Sequence, residues 1–91
     1  MARERASLEE IRQSADELTE SMLIKLEENR HKPHWKDESL SDLFNMLEVE
    51  VVELKESLIN QNNGSSMLEC ADIANFAMFI HSKLKEIVEN S

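Results

Sequence analysis

The chain has one glycine, one proline and no tyrosine among its 91 residues, and aromatic residues make up only 4% of it. So few turn-forming residues exclude a β-sandwich or an α/β domain, each of which needs many more reversals. Cysteine occurs once, at Cys70. An intramolecular disulfide is therefore impossible, and a reducing, cytoplasmic setting is expected. Long apolar runs are lacking, and no stretch approaches the roughly 20 residues of a membrane span. The N-terminal MARERASLEE carries charges with no apolar segment behind them, which is not the pattern of a secretory signal. Positive charge is scarce too. Ten Lys and Arg stand against 19 Asp and Glu, for a net charge of −9 and a pI near 4.7, which argues against a nucleic-acid polymer as partner.

What the chain has is helix-forming residues, with a hydrophobic share of 41%. Leu8, Ile11, Ala15, Leu18 and Met22 step by threes and fours and predict a helix over 7–29, with Ser7 and Glu10 at capping-box spacing. Leu40, Leu43, Phe44, Leu47, Val51, Leu54 and Leu58 predict a second over 39–60. Ile73, Phe76, Ile80, Leu84 and Ile87 predict a third over 66–89. Pro33 interrupts helical geometry between the first two. QNNGS, residues 61–65, makes a turn between the last two, with Gly64 as its expected left-handed residue. The expectation is an all-α bundle of about three helices in one domain over 7–91, after a flexible leader over 1–6. A chain this short buries only about 60–65% of its unfolded surface, so partner chains are expected to complete the core.

Most of the acids suit a solvated helix face, but four do not. Glu69 falls in the apolar arc of the third helix and Asp72 beside it, flanked by Phe76 and Phe79. Glu50 sits at the edge of the second helix's apolar stripe, with Glu53 one step further round. Each pair is spaced i, i+3, and antiparallel packing would set the pairs face to face. Four carboxylates beside an apolar core repel one another and resist desolvation unless a cation neutralises them. Lys55 or Lys83 would serve in part, and a divalent metal held by hard oxygens would serve better. The alternative is that these acids drift to solvent, with Glu69 capping a helix begun by Ser66. Cys70 reads as a small core residue.

EVVEL (residues 50–54), followed after a short spacer by ECADIANFAMFI (residues 69–80), resembles the ExxE…ExxD signature of the MazG-like nucleoside triphosphate pyrophosphohydrolases, all-α enzymes. ENRHKPHW (residues 28–35) is similar to the HKGGW-type segment of small members. The resemblance spans about residues 22–83. It implies that Glu50, Glu53, Glu69 and Asp72 hold Mg²⁺, or Mn²⁺ in its place. Water would then attack the α-phosphorus of a (deoxy)nucleoside triphosphate, releasing the monophosphate and pyrophosphate. Glu53 is the expected group to orient or deprotonate that water. His31, Lys32, Trp35 and Asn75 are the expected substrate-binding residues. Asn75 could donate to a phosphate or a sugar hydroxyl, or be satisfied at the bundle edge. Trp35 has two options: to stack a base or to pack as a lid on the core. Arg30, His31, Lys32, His34 and Lys36 form the chain's one basic or titratable cluster, suited to steering a triphosphate or balanced by its acidic neighbours. Val49 stands where many members carry an extra acid. The resemblance further implies a homodimer or homotetramer with the site closed by a second subunit. A catalytically silent module that keeps the fold and binds nucleotide or oligomerises is the alternative function.

Overall fold

The computed structural model describes residues 5–30 and 35–91. They form three helices, α1 (Leu8–Glu28), α2 (Leu40–Ile59) and α3 (Asn63–Glu89), with a single 3₁₀ turn, η1 (Trp35–Asp37), before α2. No strand occurs among the described residues, so the all-helical expectation holds for them. Among the described residues, no helix is long and apolar enough to cross a membrane.

Each helix starts where a side chain satisfies an orphan amide. Ser7 accepts from the Glu10 amide at 3.1 Å, Ser39 from Asp42 at 3.0 Å, and Asn62 from Ser65 at 3.1 Å. The third helix therefore begins at Asn63, three residues before the expected start. Ser66 lies inside it, and its hydroxyl donates to the Asn62 carbonyl at 2.9 Å. The alternative reading, a capping box of Ser66 with Glu69, is thus overturned. The reversal also differs from expectation. Gln61 is the left-handed residue, with φ 55°, while Gly64 is helical. The Gln61 amide donates to Leu58 at 3.1 Å and the Asn62 amide to Ser57 at 2.9 Å, the paired bonds of a Schellman motif. Asn62 provides a cap and Gln61 a stop, so the turn needs no residue as late as Gly64.

Contacts across the molecule fix its topology. Ser57 meets Ser66 with their hydroxyls 2.9 Å apart, and Lys83 reaches the carbonyls of Lys36 and Glu38 just before α2. The helices α2 and α3 therefore run antiparallel along most of α2. The Asn75 side-chain amide donates to the Met22 carbonyl at 3.2 Å, and Lys25 lies 3.7 Å from Asp72. Those two ties set the C-terminal half of α1 against the middle of α3. At 1.5 Å per residue, the 27 residues of α3 make the long spine, about 40 Å.

The core is thin. Among the described residues, the buried apolar side chains are Leu43, Ala71 and Phe79. The N-terminal half of α1, through Glu20, is exposed throughout, and its apolar stripe at Leu8, Ile11 and Leu18 has no cover. Phe44, Leu58, Leu84 and Ile87 are exposed too, so the expected stripes of α2 and α3 are buried only in part. Cys70 is exposed, contrary to its expected core place. Ala71, one step round the helix, is the residue turned into the interface. The radius of gyration is 15.5 Å, against about 12 Å for a compact domain of this length.

The turn geometry makes a stability prediction. Gln61→Gly removes the side-chain clash of the left-handed conformation and is expected to stabilise the fold by about 1 kcal/mol. Gly64→Ala is expected to add about 0.5 kcal/mol in the first turn of α3, because a Cβ there meets nothing closer than Asn62 Oδ1 at 3.9 Å. Urea midpoints of the two variants check both. A loss of stability in Gln61→Gly would contradict the assigned turn.

Candidate functional site

The acids singled out by spacing meet at the α2–α3 interface. Glu50, from the middle of α2, faces Glu69 and Asp72, one turn apart on α3. Each offers an oxygen within 4.8 Å of the others, and all three are half-buried. Glu53, three residues after Glu50 on α2, is exposed. Its carboxyl still reaches Glu50. The structure thus gathers three of the four expected ligands tightly and leaves the fourth at the solvent side.

Electrostatics follow from this crowding. Burial first, then hydrogen bonding to Glu69 and Glu53, then the charges of Asp72 and Glu53, push the Glu50 carboxyl up to about 8. A proton thus does part of a cation's work, letting Glu50 donate to a neighbouring carboxylate. The other compensation comes from α1, where the Lys25 ammonium stands 3.7 Å from Asp72 with both side chains mostly covered. Lys25 was not among the cations expected there. The signal for it is faint: it extends the stripe Leu18, Met22 by one more step, an odd place for a lysine. Lys83, one of the expected cations, instead binds main-chain carbonyls before α2.

The compensation is incomplete. Glu50 Oε2, Glu69 Oε2 and Asn75 Oδ1 are buried acceptors without a donor among the described residues. Buried oxygens left in this state carry a desolvation cost. Two carboxylate oxygens of this kind, with a third carboxylate beside them, are a donor set that fits a hard divalent cation. Glu50, Glu69 and Asp72 are the residues that could hold one.

A cavity of about 510 Å³ adjoins the cluster, between the end of α1, η1, the start of α2 and the middle of α3. Its walls include Trp35, Phe76 and Phe79, with Leu43 and Met46 from α2. Asp72 and Asn75 bring polar groups to it from α3. Trp35 takes the lid option, stacking on Phe79 with centroids 5.0 Å apart and planes 10° from parallel, while still lining the cavity. Phe76 meets Phe79 edge to face at 5.9 Å. Asn75 is 5% exposed. One N–H of its Nδ2 donates to Met22, and its Oδ1 is an acceptor with no donor among the described residues.

Of the basic cluster, Arg30 pairs with Glu27 at 3.0 Å and Lys36 places its ammonium 5.7 Å from the Trp35 ring centre. His31, Lys32 and His34 lie outside the described residues.

The raised Glu50 carboxyl gives stability a definite pH dependence. Between its ordinary value of 4.5 and about 8, the folded chain holds a proton that the unfolded chain has lost. Without divalent metal, stability therefore falls as pH rises through that window and levels off above it. Glu50→Gln keeps the neutral form at every pH. It is expected to melt above the unaltered protein in EDTA, with the gap widening from pH 5 to pH 8.5. A gap independent of pH would remove Glu50 from the centre of the cluster.

Comparison of the chain with family models, with curated proteins and with solved structures finds no match.

Proposed function

We propose that this chain is a divalent-metal-dependent nucleoside triphosphate pyrophosphohydrolase of the MazG-like kind, yielding a nucleoside monophosphate and pyrophosphate. The observation that carries the reading is that Asp72 belongs to both the carboxylate cluster and the wall of the aromatic cavity. A ligand with a flat ring and a polyanionic tail has a place for each part there. A cavity of about 510 Å³ is of the size that takes small ligands, and Trp35, Phe76 and Phe79 offer the planar contacts a base needs. A chain of charge −9 needs a cation between its carboxylates and a triphosphate.

Mg²⁺, or Mn²⁺, held by Glu50, Glu69 and Asp72 would neutralise phosphate charge and make a water more acidic. Glu53 stays exposed beside Glu50 and is the group to take the proton of the attacking water. Lys25, drawn to Asp72 from α1, would keep a positive charge at the edge of the cluster. The free acceptor of Asn75 suits a sugar hydroxyl or another donor of the substrate. His31 and Lys32 remain assigned to the phosphates on the resemblance alone.

Assembly into a homodimer or homotetramer is part of this reading. The chain exposes 7544 Å², against about 5,400 Å² for a compact monomer of its mass. The excess is on the scale of an obligate subunit interface, typically about 2,000 Å² or more. The uncovered stripe of Leu8, Ile11 and Leu18 is the natural place for it. Light scattering after size exclusion is expected to give twice or four times 10.5 kDa, and Ile11→Glu is expected to lower that mass. A monomer at micromolar concentration would dismiss this part.

The activity test is pyrophosphate release from the common NTPs and dNTPs, with Mg²⁺ and with EDTA. Release is expected only with metal. Glu53→Gln and Asp72→Asn should each lower it at least about 100-fold, the scale of losing one group that stabilises transition-state charge, while far-UV circular dichroism stays helical. Full activity in either variant would refute the assigned site. Nucleotide binding without turnover in the unaltered protein would favour the silent module.

A further inference from the structure

Lys83 stands four residues after Phe79 on α3, one turn along the same face. Its ammonium donates to the Lys36 carbonyl at 3.1 Å and to the Glu38 carbonyl as well. Both carbonyls close the short turn that Trp35 opens, and the Glu38 amide donates back to the Trp35 carbonyl at 3.1 Å. A single 3₁₀ turn has too few internal bonds to hold itself in place. What it packs against sets where its first residue stands, and α3 supplies two ties from adjacent helical turns. Phe79 stacks on the Trp35 ring, and Lys83 grips the main chain behind it. A cation at the carbonyl end of a helical turn is also favourably placed against the turn's dipole.

We infer that Lys83 is a positioning residue that latches the Trp35 wall onto α3, and so sets how tightly the cavity takes a flat aromatic ring. It acts through Trp35 and stands apart from the chemistry at Glu50, Glu69 and Asp72. The identity of the ring as a nucleobase rests on the pyrophosphohydrolase reading; the latch itself does not. It also accounts for the lysine's place. A long cationic side chain on α3 serves neither the carboxylate cluster nor a side-chain ion pair among the described residues, but two main-chain oxygens of one turn.

Trp35 is the single tryptophan, so intrinsic fluorescence reports on this wall alone. Lys83→Met keeps the length of the side chain without its charge, and Lys83→Arg keeps a donor. Lys85→Met, at an exposed lysine paired with Glu89, serves as control. Lys83→Met is expected to red-shift the emission and increase quenching by acrylamide, with Lys83→Arg near the unaltered protein and Lys85→Met unchanged. In the Mg²⁺-dependent assay, Lys83→Met should raise KM about fivefold, the cost of one hydrogen-bonding group, with kcat within about twofold. Trp35→Phe should raise KM as well, and adding Lys83→Met to it should raise KM no further, because the lysine acts through the indole.

Unchanged quenching in Lys83→Met would overturn the latch, as would a fall in kcat at constant KM or additive effects in the double variant. The fluorescence comparison needs no turnover. If the unaltered protein hydrolyses no nucleotide, the functional reading fails, and the latch is still decided by quenching of Trp35.

Discussion

The antiparallel register of α2 against α3 is the constraint on which the rest of this molecule depends. It is set at the turn, where Gln61 takes a left-handed conformation and the Ser57 and Ser66 hydroxyls meet at 2.9 Å. Two rigid helices leaving such a turn advance equally per residue. Once Ser57 faces Ser66, Glu50 comes opposite Glu69 and Asp72, and the segment before α2 comes opposite Lys83. The carboxylate cluster, the cavity and the aromatic wall are successive levels of one helical pair. The first helix adds a third side to two of them, through Lys25 at the cluster and Met22 at Asn75.

The same register places a repulsive group of acids where a larger core would otherwise form. With Leu43, Ala71 and Phe79 as the buried apolar residues among those described, the domain has little hydrophobic stabilisation to spare. Three half-buried carboxylates at its centre work against what there is, even with a proton on Glu50 and Lys25 beside Asp72. On the proposed reading, local rules are broken here because the site serves chemistry rather than stability. Helix caps at Ser7, Ser39 and Asn62 and the aromatic group around Phe79 offset part of the cost.

Much of this was legible from residue spacing, and the misses have physical causes. Ser7 announced the first helix because a capping side chain acts on an amide three residues away, a wholly local event. The turn was placed correctly but its residues were misassigned. Glycine is the usual left-handed residue, yet Asn62 could cap α3 early and force Gln61 into that role. Glu50, Glu69 and Asp72 were legible because acids in an apolar arc are conspicuous. Glu53, read as one step further round from Glu50, is exposed at the solvent side, and its carboxyl still reaches Glu50. Cys70 was assigned to the core on residue type, whereas the helix turns Ala71 inward instead.

Composition and periodicity were sufficient for the helical class, the number of helices and the acids that stand out, because each depends on side chains within a few positions of one another. They were not sufficient for the partners of Lys25 and Lys83, which lie 47 residues from Asp72 and from Lys36. Nor could they choose between the two options open to Trp35. Those outcomes belong to the packing of three helices. A lysine's charge is the same wherever it stands, but the groups it can reach are known only once the register of the helices is set.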